Sequence, residues 1–289
     1  EHHYRYADGC TSGRVYSKNA SYQRLSRTTR AWLARGLYYD IDIINCAARC
    51  LIDVFTENGI VCAKLDEYYS NREYMLHQIC VESGGIDRDT AKRAVNIVIN
   101  NGDYRWLTNN EHVTALDDLR KNVKSSLEQL SSFPAFTPLW SAALKNKPKN
   151  PHGNFAFHVI TPVEQRYVKH IIDECKNSNV DVGTNLYDGC YVSKADVDRL
   201  EGGIVAFVAG LNNTASIDGG PVFASKPIET DVPLPTAHTM WEELGATVIE
   251  HDGAMVESIV LPKYEGVPNV IAICANYGSG KTTQVVKLH

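Results

Sequence analysis

Tyr38-Tyr39-Asp40-Ile41-Asp42-Ile43-Ile44 is an unbroken run of β-branched and aromatic residues around two aspartates, and it reads as a buried strand. Residues 46–57 follow as a helix that stops near Asn58-Gly59. Side chains alternate faces along a strand, so Asp40 and Asp42 point the same way. Two carboxylates on one side of an isoleucine-rich strand are costly unless a cation or a donor meets them. The pair is therefore either a set of metal ligands or a sheet-edge pair that faces water.

Downstream, 66–80 has helical apolar spacing, and 87–99 reads as a second helix with Asp87 as N-cap and Gly102 as stop. Arg88 and Lys92 are four apart and share a face near that helix start, where the dipole also favours anions. Together they could hold a phosphate chain; the alternative is plain surface charge. Residues 114–131 form an amphipathic helix, 133–153 a connector containing Pro and Lys, and 162–176 another helix. Segments 180–187 and 190–192 flank Asp188-Gly189, a strong hairpin signal, although Asp-Gly is favoured in turns for conformational reasons alone. Upstream, 9–39 carries Arg14, Lys18, Arg24, Arg27, Arg30 and Arg35 without one acidic residue. That local excess suits a polyanion, with Tyr16 and Tyr22 as stacking partners, or else a solvated basic face.

The remaining composition bounds the answer. The 289 residues are 44% hydrophobic and 22% charged with a net charge of -5, which excludes a disordered chain. No run of about 18 apolar residues is present to span a membrane, so no membrane partner is expected. The eight scattered cysteines contain no Cys-x-x-Cys pair and read as reduced thiols, pointing to an intracellular setting, cytoplasmic or nuclear, with a viral origin open. The first residues lack the features of a signal peptide, and the chain reads as a fragment, because it starts without Met and stops inside a helical pattern.

Taken in order, these segments resemble the polymerase domain of family A DNA polymerases. Thr11-Ser12-Gly13-Arg14-Val15-Tyr16-Ser17 and Ser21-Tyr22-Gln23-Arg24-Leu25 resemble the segment that touches primer and template. Asp42, with Arg49 seven residues on, has the spacing of motif A; Arg88-x-x-x-Lys92, running on to Asn96 and Gly102, is similar to motif B; Tyr187-Asp188-Gly189 stands where motif C has its second metal-binding Asp. The resemblance covers roughly 10–195. It implies an α/β (α+β) fold, a palm with an antiparallel sheet and helical fingers. It further implies two Mg²⁺ ions on Asp42 and Asp188 with Asp40 as an extra ligand, dNTP binding by Arg88, Lys92 and Asn96, and primer-template DNA contacts from Arg14, Gln23, Arg27, Arg30 and Arg49. The sequence departs from the family at Ala47, where a Glu helps select deoxyribose, at Ile97 and Asn101 in motif B, and at Tyr187 and Gly189 in motif C. The loss at Ala47 leaves a single-subunit RNA polymerase as a further option.

Finally, the apolar 270–274 leads into Ala275-Asn276-Tyr277-Gly278-Ser279-Gly280-Lys281-Thr282, a Walker A pattern after a strand and before a helix. Gly278, Gly280, Lys281 and Thr282 would hold ATP there. The expected layout is a palm and fingers over 1–208, a linker with a small accessory segment over 209–262, and the start of a P-loop domain over 263–289. The function this implies is template-directed nucleotidyl transfer in DNA replication, fused to a helicase-like module and open to other replication proteins as partners. The alternative is an ATP-dependent helicase or origin-binding protein whose polymerase-like region only binds nucleic acid.

Overall fold

In a computed structural model the structure describes residues 4–6, 13–17, 22–109, 111–215 and 222–228. They form an α/β arrangement with two antiparallel sheets. A two-stranded sheet pairs β1 (Tyr4–Tyr6) with β2 (Val15–Ser17). After a 3₁₀ turn at Tyr22–Arg24 comes α1 (Arg27–Ala34), whose first turn is capped by the Ser26 hydroxyl accepting from the Thr29 amide. The 38–44 segment then forms β3 (Tyr38–Ile43), followed after a left-handed Asn45 by α2 (Cys46–Glu57).

The expected single helix over 66–80 is two helices, α3 (Ala63–Ser70) and α4 (Arg72–Glu82), broken at Asn71. Leu65 and Tyr68 of α3 and Met75, Leu76 and Ile79 of α4 all reach the core, so the apolar stripe that reads as one helix is kept across the break. Next is α5 (Arg88–Ile99), with Asp87 accepting from the Thr90 amide at 2.8 Å as its N-cap. A short 3₁₀ turn at Arg105–Leu107 leads to α6 (Thr114–Ser131). Within the expected connector lies α7 (Thr137–Asn146), whose Trp140 packs on Phe155, and its Lys and Pro residues mark only the ends of that helix.

The longest element, α8 (Pro151–Asn177), begins earlier than the 162–176 pattern suggests and carries Pro162 in its interior. Its start is fixed by Asn150, whose side chain accepts from the Gly153 amide and donates to the Asn100 carbonyl oxygen at the end of α5. A Cβ at Gly153 would run into that same carbonyl, so the close crossing of α8 and α5 requires glycine. The hairpin of β4 (Val182–Asn185) and β5 (Gly189–Ser193) forms as the sequence indicates, with Tyr187 left-handed at its tip. It is followed by α9 (Lys194–Val197), α10 (Gly203–Ala215) and β6 (Phe223–Lys226).

The main sheet runs β4-β5-β3-β6, all antiparallel, with β3 in the middle. Its inward face and α8 enclose Ile41, Ile43, Phe155, Val163, Ile171, Val192 and Phe223 in one continuous core with the helical half. Position 208 falls inside α10, and β6 completes the same sheet; Asn212 ties the two by accepting from the Val222 and Phe223 amides at 2.8 Å each. The residues expected to form the P-loop, Gly278, Gly280, Lys281 and Thr282, and most of the 209–262 segment lie outside the described residues.

Candidate active site

The sheet builds the site from its central strand. Asp42 on β3 pairs directly with Gly189 of β5 on one side and with Ala224 of β6 on the other. The Ile43 amide donates to the Asp188 carbonyl oxygen at 2.9 Å, which brings the turn residue Asp188 beside Asp42. Asp42 and Asp188, remote in sequence, line one cleft of about 610 Å³ between the sheet and the helical half. The close approach explains Gly189: a Cβ there would collide with the Ile41 carbonyl oxygen and press on the Asp42 Cα. The acidic side chain that motif C carries at this position would not fit this backbone.

Asp42 is 7% exposed, and burial first, then the adjacent Asp188, pushes its carboxyl up from 3.8 to about 7. Opposing this, the Lys226 ammonium on β6 forms an ion pair with Asp42 Oδ2. Lys226 stands directly opposite Asp40 in the β3–β6 register, so its side chain shares the face of both aspartates. Sequence reading missed it because it comes from a strand far downstream in a stretch rich in turn residues.

Asp40 is partly buried, with its carboxyl raised mainly by burial and opposed by Lys226, Arg30 and Arg27. It does not line the cleft, and among the described residues no three His, Cys, Asp or Glu side chains are grouped to hold an ion. Two protein carboxylates still suit Mg²⁺, which keeps several waters and draws its other oxygens from substrate phosphates. The buried Asp42 beside Asp188, already drawing an ammonium, is a donor pair of that kind.

On the helical side, Lys92 and Asn96 of α5 line the cleft, joined by Tyr68 of α3 and Arg72 of α4. Burial lowers the Lys92 ammonium from its usual value, with Arg72 and Lys226 pushing the same way. Arg88 is not among these residues. It sits on the surface in a bidentate pair with Glu73 at 2.8 and 2.6 Å, because the first turn of α5 abuts the first turn of α4.

The expected DNA contacts divide. Arg14 lines the cleft and is clamped by Glu164 of α8 through two bonds of 2.7 and 2.8 Å. Glu164 itself is fully buried, its carboxyl raised by burial and held down by Arg14; nothing in its helical context marked it out. Arg27 is exposed and Arg30 half-buried on α1. Gln23 is buried instead, bridging the Ser17 amide and the Val15 carbonyl oxygen, and so braces the β2 segment. Arg49, 2% exposed, pairs with Asp53 at 2.9 Å between α2 and α8 and lies over the Tyr69 ring. Both residues are turned inward, because each has backbone or carboxylate partners in the core that a surface contact could not replace.

No family model matches the chain. A stretch of 95 residues is 33% identical to Putative helicase V13 of Sputnik virophage, covering 32% of this chain and 12% of that protein. The chain thus spans a small part of the length of the relative it matches. Among the described residues no helix is long and apolar enough to cross a membrane.

Proposed function

We propose that the chain carries the palm and fingers of a template-directed DNA nucleotidyltransferase, which joins a deoxynucleoside triphosphate to a primer 3′-hydroxyl. The observation that supports it is the meeting of Asp42 and Asp188 in one cleft with Lys92 and Asn96. Divalent ions held by the two carboxylates would activate the primer hydroxyl and carry charge on the leaving pyrophosphate. The protein's own groups do the positioning. Lys92 offsets polyphosphate charge from the helical side, while Asn96 offers an amide to the nucleotide. Arg14, fixed by Glu164, holds its guanidinium 5.8 Å from the Phe157 ring centre and 5.3 Å from that of Tyr187, and would orient the primer end from there. Arg27 and Arg30 extend a basic surface for the phosphate backbone.

The test is primer extension with Mg²⁺ or Mn²⁺. Asp42→Asn and Asp188→Asn should each reduce it by roughly a thousandfold or more and leave DNA binding within about threefold. Wild-type protein that binds DNA but never extends a primer would overturn this reading.

A second reading is favoured by the likeness to the virophage protein, whose name describes a helicase, and by the Ala275 to Thr282 pattern. In it the chain belongs to an ATP-driven replication protein, with Gly278, Gly280, Lys281 and Thr282 at the nucleotide phosphates. The polymerase-like region would then only hold DNA, a role that Lys226 seated on Asp42 would suit. DNA-stimulated ATP hydrolysis, combined with no primer extension, would select this reading.

A further inference from the structure

Arg72 is the first residue of α4 and faces the cleft beside Lys92. Its Nε is buried without any hydrogen-bond partner. A buried donor left unpaired costs about 1 to 3 kcal/mol, and an acceptor entering the cleft at this nitrogen would relieve that cost. Arg72 and Lys92 line the helical side of the cleft together, with no carboxylate among the described residues in ion-pair contact with either. Asp42 and Asp188 supply the opposite charge from the sheet side. Arg88, by contrast, has both of its forked donors committed to Glu73, outside the cleft. That ion pair is exposed on the surface and leaves the position of Arg72 to the packing of α4.

We infer that Arg72, rather than Arg88, is the partner of Lys92 in an anion site that takes a polyphosphate. A guanidinium presents a planar fork that suits adjacent phosphate oxygens, and Lys92 adds a compact charge next to it. The identity of the ligand as the triphosphate of an incoming nucleotide, or the pyrophosphate it releases, rests on the transferase reading. The site itself does not, because any linear polyphosphate meets the same cations.

The experiment is titration of the whole chain with inorganic tripolyphosphate in the absence of divalent metal, followed by calorimetry. Arg72→Ala should weaken binding about tenfold or more, Arg72→Lys should recover part of the loss, and Arg88→Gln should change it by less than about twofold. A thermal melt that matches wild type excludes unfolding as the cause, and Arg72→Lys keeps the test open should Arg72→Ala fail to fold. In primer extension the same Arg72→Ala change should raise KM for the nucleotide, with DNA affinity unaltered. Absence of saturable tripolyphosphate binding by wild type, or equal losses in the Arg72 and Arg88 variants, would overturn the inference. Arg72-dependent tripolyphosphate binding without any primer extension would support it and overturn the transferase reading instead. Extension that proceeds with tripolyphosphate affinity and KM untouched by Arg72→Ala would do the reverse.

Discussion

Asp42 is an ionisable group held where ionisation is expensive, and its neighbours set the terms. Burial and Asp188 raise its carboxyl from 3.8 to about 7, and Lys226 offsets part of the cost. A carboxyl raised on folding stabilises the native state when protonated, so the contribution is complete below its unfolded value and is lost as pH rises through about 7. Wild type should therefore be less stable than Asp42→Asn above about pH 7, and the gap in melting temperature should close as the pH falls towards about 4; a pH-independent gap would contradict the assignment. Lys226→Gln removes the ammonium that competes with an ion for Asp42. Mn²⁺ affinity, read by electron paramagnetic resonance, should rise by about threefold or more in that variant, because the ion no longer displaces a tethered cation. The segments that carry Asp42 and Asp188 were legible in the sequence, since they have strand and hairpin signals. Arg72, Glu164 and Lys226 were not, because each is an ordinary charged residue on its own element and acquires its role from what it faces. Arg88 and Gln23 show the converse: spacing alone could not reveal that Glu73 claims the one and the β2 backbone the other.

Among the elements, the β3–β5 ladder carries the site. Gly189 lies opposite Asp42 with no room for a side chain, so Gly189→Ala should force the strands apart and cost about 2 to 4 kcal/mol in denaturant unfolding. A variant that loses less than about 0.5 kcal/mol would mean that the strands can separate freely there. The cap of α5 is a smaller matter. Strand β3, helix α2, the cap at Asp87 and the helix over 114–131 were readable because each has its periodicity and its punctuation within a short window. Helix α7 and the first turns of α8 were hidden by Pro and Lys, which mark breaks in a local reading. In the structure Pro138 and Pro151 instead occupy first-turn positions, where a missing amide costs nothing. The division of 66–80 at Asn71 left no mark in the local pattern, because the apolar positions on either side of it keep the spacing of one continuous helix.

At the scale of the molecule, the sheet extends past the boundary near residue 208 that composition suggests. Helix α10 and β6 close the open edge of β3, burying Leu211, Val222 and Phe223. A chain ending at 208 should lose several kcal/mol, since fully burying one such side chain contributes about 1.5 to 3 kcal/mol, and should expose the edge of β3 to pairing with other chains. One ending at 228 should unfold cooperatively at higher denaturant. Equal midpoints for the two would show that β6 adds no stability to the sheet.

By itself the sequence determined the α/β class and the central strand and hairpin on which Asp42 and Asp188 lie, because hydrophobic period and turn chemistry act over a few residues. Tertiary structure alone decided which cations share a cleft with those aspartates, that Gly189 excludes a third acid, and that a strand beyond residue 220 brings an ammonium to Asp42. Those facts depend on electrostatics and packing between segments far apart along the chain, where proximity is set by the folded backbone and leaves no trace in spacing.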